Sequence, residues 1–249
     1  MTVRLETSGR IAHLVIDRAA KRNAFTLAMW EGLPALIDRA MTDPDVRVLI
    51  VRAAEPGAFS AGADIAEMGE GTRDSAWRLR NHAAIAAAQI RLSHAAKPTI
   101  AFVEGDCVGA GCGLAIACDL RVTTPRGRFG ITPAKLGLVY SLHDTKLLVD
   151  LVGPARAKRI LFTAELIDAE EALRIGLVDI IGDSPDAVAN TIAANSPHST
   201  REAKAMVRRI LDGQTSDDAV TTQLFADAFT RPDFAEGVQA FVGKRKPVF

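Results

Sequence analysis

The sequence predicts an α/β fold to which a helical region is added. Two observations carry that expectation. Strand-like apolar runs interleave with helical spacing early in the chain, and from Leu142 onward the pattern is almost wholly helical. A third observation bears on function. Two of the predicted strands, "RVLIVRA" and "PTIAFV", run into turns rich in glycine and alanine.

In chain order, "RIAHLVID" alternates apolar with polar residues and reads as a strand. "TLAMWEGLPALIDRAMTDP" has helical spacing, with Thr26 as N-cap and Pro44 beyond the end. "RVLIV" is a short, fully apolar strand. "SAWRLRNHAAIAAAQIRLSHAAK" is a long alanine-rich helix, and "PTIAFV" and "LRVTT" are further strands. Helices then follow in "TKLLVDLVG", "PARAKRILF", "DAEEALRIG", "PDAVANTIAANS", "STREAKAMVRRIL" and a tail through Phe241. No Pro/Ser-rich linker or low-complexity tract divides the chain.

The 249 residues are 48% hydrophobic and 24% charged, enough for a sizeable core. Thirty basic residues balance thirty acidic ones, which gives no electrostatic footprint for nucleic acid. The opening "MTVRLETSGR" lacks the apolar segment of a signal peptide, and no run has the length of a membrane span. A cytoplasmic protein that binds neither membrane nor nucleic acid is expected. Cys107, Cys112 and Cys118 lack metal-ligand spacing and are expected to be buried free thiols, with no metal site.

The turn "VGAGCGLAIACD" joins a strand to a helix start, where backbone N–H groups can face an anion. It is not a dinucleotide fingerprint, because Leu114 stands where the third glycine belongs. Nor is it a Walker loop, since no Lys-Ser or Lys-Thr pair follows. Taken alone, its glycines are equally compatible with close helix–strand packing. The second turn, "GAFSAGADIAEM", makes a pair, and two such turns can aim one N–H apiece at a single oxygen.

Six segments, "KRNAFT", "FSAGADIAEM", "KPTIAFVEGDCVGAGCGLAIACDLRV", "RFGITPAKLGL", "LVGPARAKRILFTAELIDAEEALRIGLVD" and "EGVQAFVGKRKPVF", resemble the crotonase superfamily, the enoyl-CoA hydratase/isomerase family. The similarity runs in order from about Val3 to Phe249. It implies a ClpP/crotonase-like spiral of ββα turns over residues 1–195, and a helical C-terminal trimerisation region over 196–249. It also implies an acyl-CoA thioester substrate, no cofactor apart from the CoA of that substrate, and a homotrimer or homohexamer.

Carried over by position, the resemblance assigns the oxyanion-hole N–H groups to Ala63 and Ala110. Arg22, Ala24, Ala61, Asp64 and Ile65 match the CoA-binding segments, with Arg22 as a phosphate contact. Lys244, Arg245 and Lys246 either add charge near a neighbouring subunit's CoA or form a solvated tail.

The family's hydratases handle water with two glutamates, and here Gly113 and Ala134 stand at those positions. Tyr140 follows in a frame, "TPxxLGxxYxL", that resembles the methylmalonyl-CoA decarboxylase branch. That branch differs in keeping a glutamate at the place of Gly113 and a histidine at that of Ala63. Tyr140, the only tyrosine, is expected to line the acyl end of the pocket, against a purely structural phenol. His143 and Asp144 are expected to cap the following helix or stay solvated. The aspartate of the family's dienoyl-CoA isomerases and aryl-CoA dehalogenase maps onto Ser141, so Asp144 is not expected to inherit its role. His82 is expected to face away from the pocket.

Three readings stay open. The preferred one is an enolate-forming enzyme, a decarboxylase or related lyase, because loss of CO₂ needs no base to remove a carbon-bound proton. The others are a hydratase or isomerase with substituted acid/base groups, and a non-catalytic acyl-CoA binder.

Overall fold

Residues 2–249 are described by this computed structural model. Strand β1 (Val3–Ser8) and strand β2 (Ile11–Ile16) form an antiparallel hairpin around Gly9, whose φ of 56° suits the tight turn. β1 is not among the strands expected from sequence, although Val-Arg-Leu-Glu alternates as β2 does. Helix α1 (Leu27–Thr42) starts where expected: the Thr26 hydroxyl accepts from the Met29 N–H at 3.3 Å.

Three ββα turns follow. β3 (Val48–Ala53) leads to a bridge at Ser60 and helix α2 (Ile65–Gly71), then α3 (Ser75–Ser93). β4 (Thr99–Val103) leads to β5 (Asp106–Val108) and α4 (Ala110–Ile116). β6 (Leu120–Thr123) leads to β7 (Arg128–Gly130), a 3-10 turn at Pro133–Leu136 and α5 (Leu142–Thr163). The chain continues through β8 (Ile167–Asp168), α6 (Ala169–Arg174), β9 (Ile180–Ile181) and α7 (Asp186–Ala194). It ends in α8 (Pro197–Leu211), α9 (Ala219–Ala228) and α10 (Pro232–Val242).

The main sheet has the order β1-β2-β3-β4-β6-β9 and is parallel from β2 onward. Its central strands read as unbroken apolar runs because both faces are covered. Leu49, Val51, Ala101 and Val103 pack into the larger core with α1, α3 and α4, while Val48, Ile50, Ile100 and Phe102 pack against Ala189 and Ala193 of α7. A second sheet, β5-β7-β8, stands beside the first.

The region read as wholly helical needs correction. β8 and β9 are two-residue strands, each paired to a strand about forty to sixty residues earlier in the chain, and no local pattern announces such pairs. Helix α5 turns at Gly153 (φ 77°, ψ 163°) before Pro154, which divides it where the sequence had suggested two helices. All three cysteines are free and buried, as expected. Burial raises the Cys107 thiol well above its usual range and pushes that of Cys118 up to about 12, so neither is a thiolate at neutral pH.

Candidate active site

The two glycine-rich turns are laced to one another. The Ser60 N–H donates to Asp106 O at 3.1 Å and the Val108 N–H to Ser60 O at 2.9 Å, which ties the first turn to the strand feeding the second. The buried Ser60 hydroxyl donates to Asn23 O at 2.9 Å and accepts from the Gly62 N–H at 3.1 Å. On either side of Ala63, the Phe25 N–H bonds Gly62 O and the Asp64 N–H bonds Phe25 O, each at 2.8 Å. The Ala63 N–H itself has no hydrogen-bond partner among the described residues.

The second turn is held by the Gly109 N–H, which donates to Gly130 O at 2.8 Å. Ala110 is the first residue of α4, so its N–H has no intrahelical acceptor. Glycine is required where the turns meet. Gly62 has φ 93°, and a Cβ there would lie 2.9 Å from Val108 O and 3.5 Å from Ala110 N. Gly109 has φ 56° and ψ −123°, a conformation open to glycine alone. Both free N–H groups thus sit on fixed backbone, and Ala63 and Ala110 line one cleft of about 250 Å³.

Ala61, Ile65 and Tyr140 line the same cleft. Arg22, Ala24 and Asp64 do not. Ala24 is buried. The Asp64 carboxylate caps α2 and pairs with Arg18 at 2.7 Å, which holds its carboxyl below the usual range. Arg22 reaches the cleft only through its backbone, whose carbonyl accepts the Ala61 N–H at 2.9 Å. Its guanidinium pairs with Asp106 in a second cleft shared with Asn23, Arg126 and Arg128. Arg245 pairs with Glu236 at 2.8 Å within the C-terminal region.

Around Tyr140 several expectations are overturned. Ser141 is the residue that caps α5, its hydroxyl accepting from the Asp144 N–H at 3.0 Å. Asp144 is therefore neither cap nor solvated: it is 4% exposed, lines the cleft, and its Oδ1 has no partner among the described residues. Burial pushes its carboxyl up to about 6, against weaker opposing pulls from the Ser141 hydroxyl and the His82 imidazole. His82 also lines the cleft, contrary to expectation, because α3 crosses its mouth. His143 does not line it; burial, helped by the charges of His94 and Arg208, lowers its pKa. Among the described residues, no group of three or more His, Cys, Asp or Glu side chains is placed to hold a metal ion.

The space a glutamate at position 113 would need is already filled. A Cβ on Gly113 would lie 2.4 Å from Gln89 Nε2, 2.9 Å from the Tyr140 hydroxyl and 3.6 Å from Asp144 Oδ1. Ala134 is exposed and lies outside the cleft lining. Gly113→Glu is accordingly expected to lower stability by about 1–3 kcal/mol, the usual cost of overpacking, without creating a hydratase. Thermal melts and a crotonyl-CoA assay check this; a stable variant that hydrates would show that Gln89 and Tyr140 yield freely.

The sequence model of the enoyl-CoA hydratase/isomerase family matches residues 6–249. The chain belongs to that family. Within it, the chain is 32% identical over 251 residues to the short-chain-enoyl-CoA hydratase of Clostridium acetobutylicum, covering 97% of this chain and 95% of that protein. It is 34% identical over 256 residues to the crotonyl-CoA hydratase of Syntrophomonas wolfei, covering 98% and 96% respectively. Among solved structures, an enoyl-CoA hydratase/isomerase family protein from Hyphomonas neptunium superposes with a TM-score of 0.95 at 38% identity, covering 100% of this chain and 97% of that one. The fold is the crotonase fold, and the family's substrates are acyl-CoA thioesters. Among the described residues, no helix is long and apolar enough to cross a membrane.

Proposed function

We propose that this family member stabilises a thioester enolate between the Ala63 and Ala110 N–H groups, and that its reaction is a decarboxylation or related lyase step. The observation that carries this is the pair of unpartnered N–H groups on two touching turns that open into one cleft. Breaking a C–CO₂ bond leaves its electron pair on the α-carbon, and the hole receives the charge on the thioester oxygen. Tyr140 sits at the acyl end, its half-buried ring bringing the hydroxyl beside the reacting carbons, where it can orient a leaving carboxylate.

CoA follows the Arg22–Ala24 strip, whose backbone is bonded to Ala61, and passes Asp64 and Ile65 toward the hole. Arg22 meets a phosphate by exchanging Asp106 for it. The exposed aromatic and aliphatic side chains of the C-terminal helices, Phe225, Phe229, Phe241 and Val242 among them, are covered in a homotrimer or homohexamer.

A second reading, a proton shift along an unsaturated acyl chain, is favoured by the Asp144 carboxyl in the cleft, since a shift of this kind needs a single base. Hydration by two facing carboxylates is not favoured. The relatives bear hydratase names, yet positions 113 and 134 carry glycine and alanine here. Crotonyl-CoA hydration is therefore expected to be far below the common range of about 1–10³ s⁻¹. A screen of malonyl-type, β,γ-unsaturated and crotonyl thioesters, read by mass spectrometry of products, tests all three reactions together. Hydration within that range with no decarboxylation would overturn the lyase reading.

A further inference from the structure

We propose that Asp144 is the residue that moves a proton at the α-carbon of the bound thioester, in the place of the family's two glutamates. This rests on the acyl-CoA reading above and holds for either reaction considered there.

The geometry is a convergence of polar atoms for which the fold supplies no partner. Asp144 Oδ1, the Tyr140 hydroxyl and both amide atoms of Gln89 are buried and unpaired among the described residues. All three side chains close around the position where a Cβ of Gly113 would stand. Gln89 is fully buried on α3, while Tyr140 and Asp144 flank the start of α5, so two separate stretches of chain direct polar groups to one place. Buried polar groups are nearly always paired in native proteins, and a cluster of exceptions marks a place where something else supplies the partner. Asp144 and Tyr140 line the same cleft as Ala63 and Ala110, so that partner is the acyl end of the thioester held in the hole.

Chemistry then assigns the roles. Of the three groups, only the carboxyl has both its forms within reach near neutral pH; the tyrosine hydroxyl is pushed well above its usual range by burial, then by Asp144. As a base, Asp144 takes the α-proton; the C–H electron pair becomes the enolate C=C bond and the thioester oxygen takes the negative charge. As an acid after loss of CO₂, it gives its proton to the enolate α-carbon, the thioester carbonyl reforms, and water from solvent reprotonates the carboxylate. Gln89 and Tyr140 stand beside the carboxyl without bonding it, and neither carries the proton.

The test uses butyryl-CoA, a saturated thioester, in deuterium oxide, with α-proton exchange read by mass spectrometry and binding read by calorimetry. Wild type is expected to bind and exchange. Its rate should rise as Asp144 ionises near pH 6 and then level off; His82 from α3 and Tyr140 are the other titratable groups facing the carboxyl. Asp144→Asn is expected to retain affinity and lose about 10²–10⁴-fold in exchange. Asp144→Glu, which keeps the carboxyl, is expected to recover part of it. Exchange by Asp144→Asn at the wild-type rate overturns the assignment, as does a wild-type profile flat through the Asp144 transition, which needs no variant to fold. Binding without exchange in wild type overturns it while sparing the acyl-CoA reading. Absence of binding overturns both.

Discussion

Ala110→Pro is expected to abolish turnover while leaving the fold in place. Proline removes the N–H and sets its ring Cδ where the hydrogen pointed, between the two donors. Ala110 is the first residue of α4, the helical position that best tolerates proline, since the missing N–H has no intrahelical acceptor there. The preceding residue is Gly109, which has no Cβ to collide with the ring. Losing one oxyanion donor typically lowers kcat about 10²–10³-fold, or about 2.7–4 kcal/mol of transition-state stabilisation. The expected signature is a normal melting temperature with kcat/KM lost. Full activity in a folded Ala110→Pro protein would remove the hole from the mechanism.

Asp144→Asn is expected to make the protein more stable at pH 8, with an advantage that fades toward pH 4. The wild-type carboxyl titrates near 6 in the folded state, against about 3.9 in an unfolded chain. Between those values the folded protein holds a proton that the unfolded chain has released, so wild-type stability falls as pH rises through the window. At about 1.36 kcal/mol per unit, the shift amounts to about 2–3 kcal/mol, fully felt above pH 6. Asparagine never ionises and escapes that loss, and its amide can meet the unpaired atoms of Gln89 and Tyr140. Urea denaturation of both proteins at the two pH values measures the difference. An equal gap at both would mean that Asp144 is not held in its neutral form by the fold.

The paired turns could be read from the chain alone, because glycine and alanine at strand-to-helix turns are a local signal with a local cause. The Thr26 cap and the free thiols were legible for similar reasons, whereas the place of Tyr140 in the cleft was implied by the family resemblance. Asp144 was not. Sequence offered His143 and Asp144 as caps of the following helix or solvated residues; the cap taken by Ser141 leaves Asp144 inward, among residues of α3 and α4 that no local pattern announces. His82 escaped in the same way, since an exposed histidine on an alanine-rich helix shows nothing of what the helix crosses. The short strands β8 and β9 exist because distant strands already offer an edge, and two residues carry no period of their own.

The wall of the cleft from Leu136 to Val139 is built unlike the paired turns. Leu136, Leu138 and Val139 are 56%, 46% and 96% exposed, whereas the turns beneath are bonded through Gly62 and Gly109 to neighbouring backbone. Substitutions at such exposed positions usually change stability by no more than about 0.5 kcal/mol. Side chains at these positions are thus free to change, residue by residue, with folding left nearly untouched. The turns have no such liberty, because Gly62 and Gly109 fix the backbone that carries the Ala63 and Ala110 N–H groups. Heredity in this protein therefore runs at two speeds: the backbone of the paired turns is held still, and the side chains on the rim of their cleft drift.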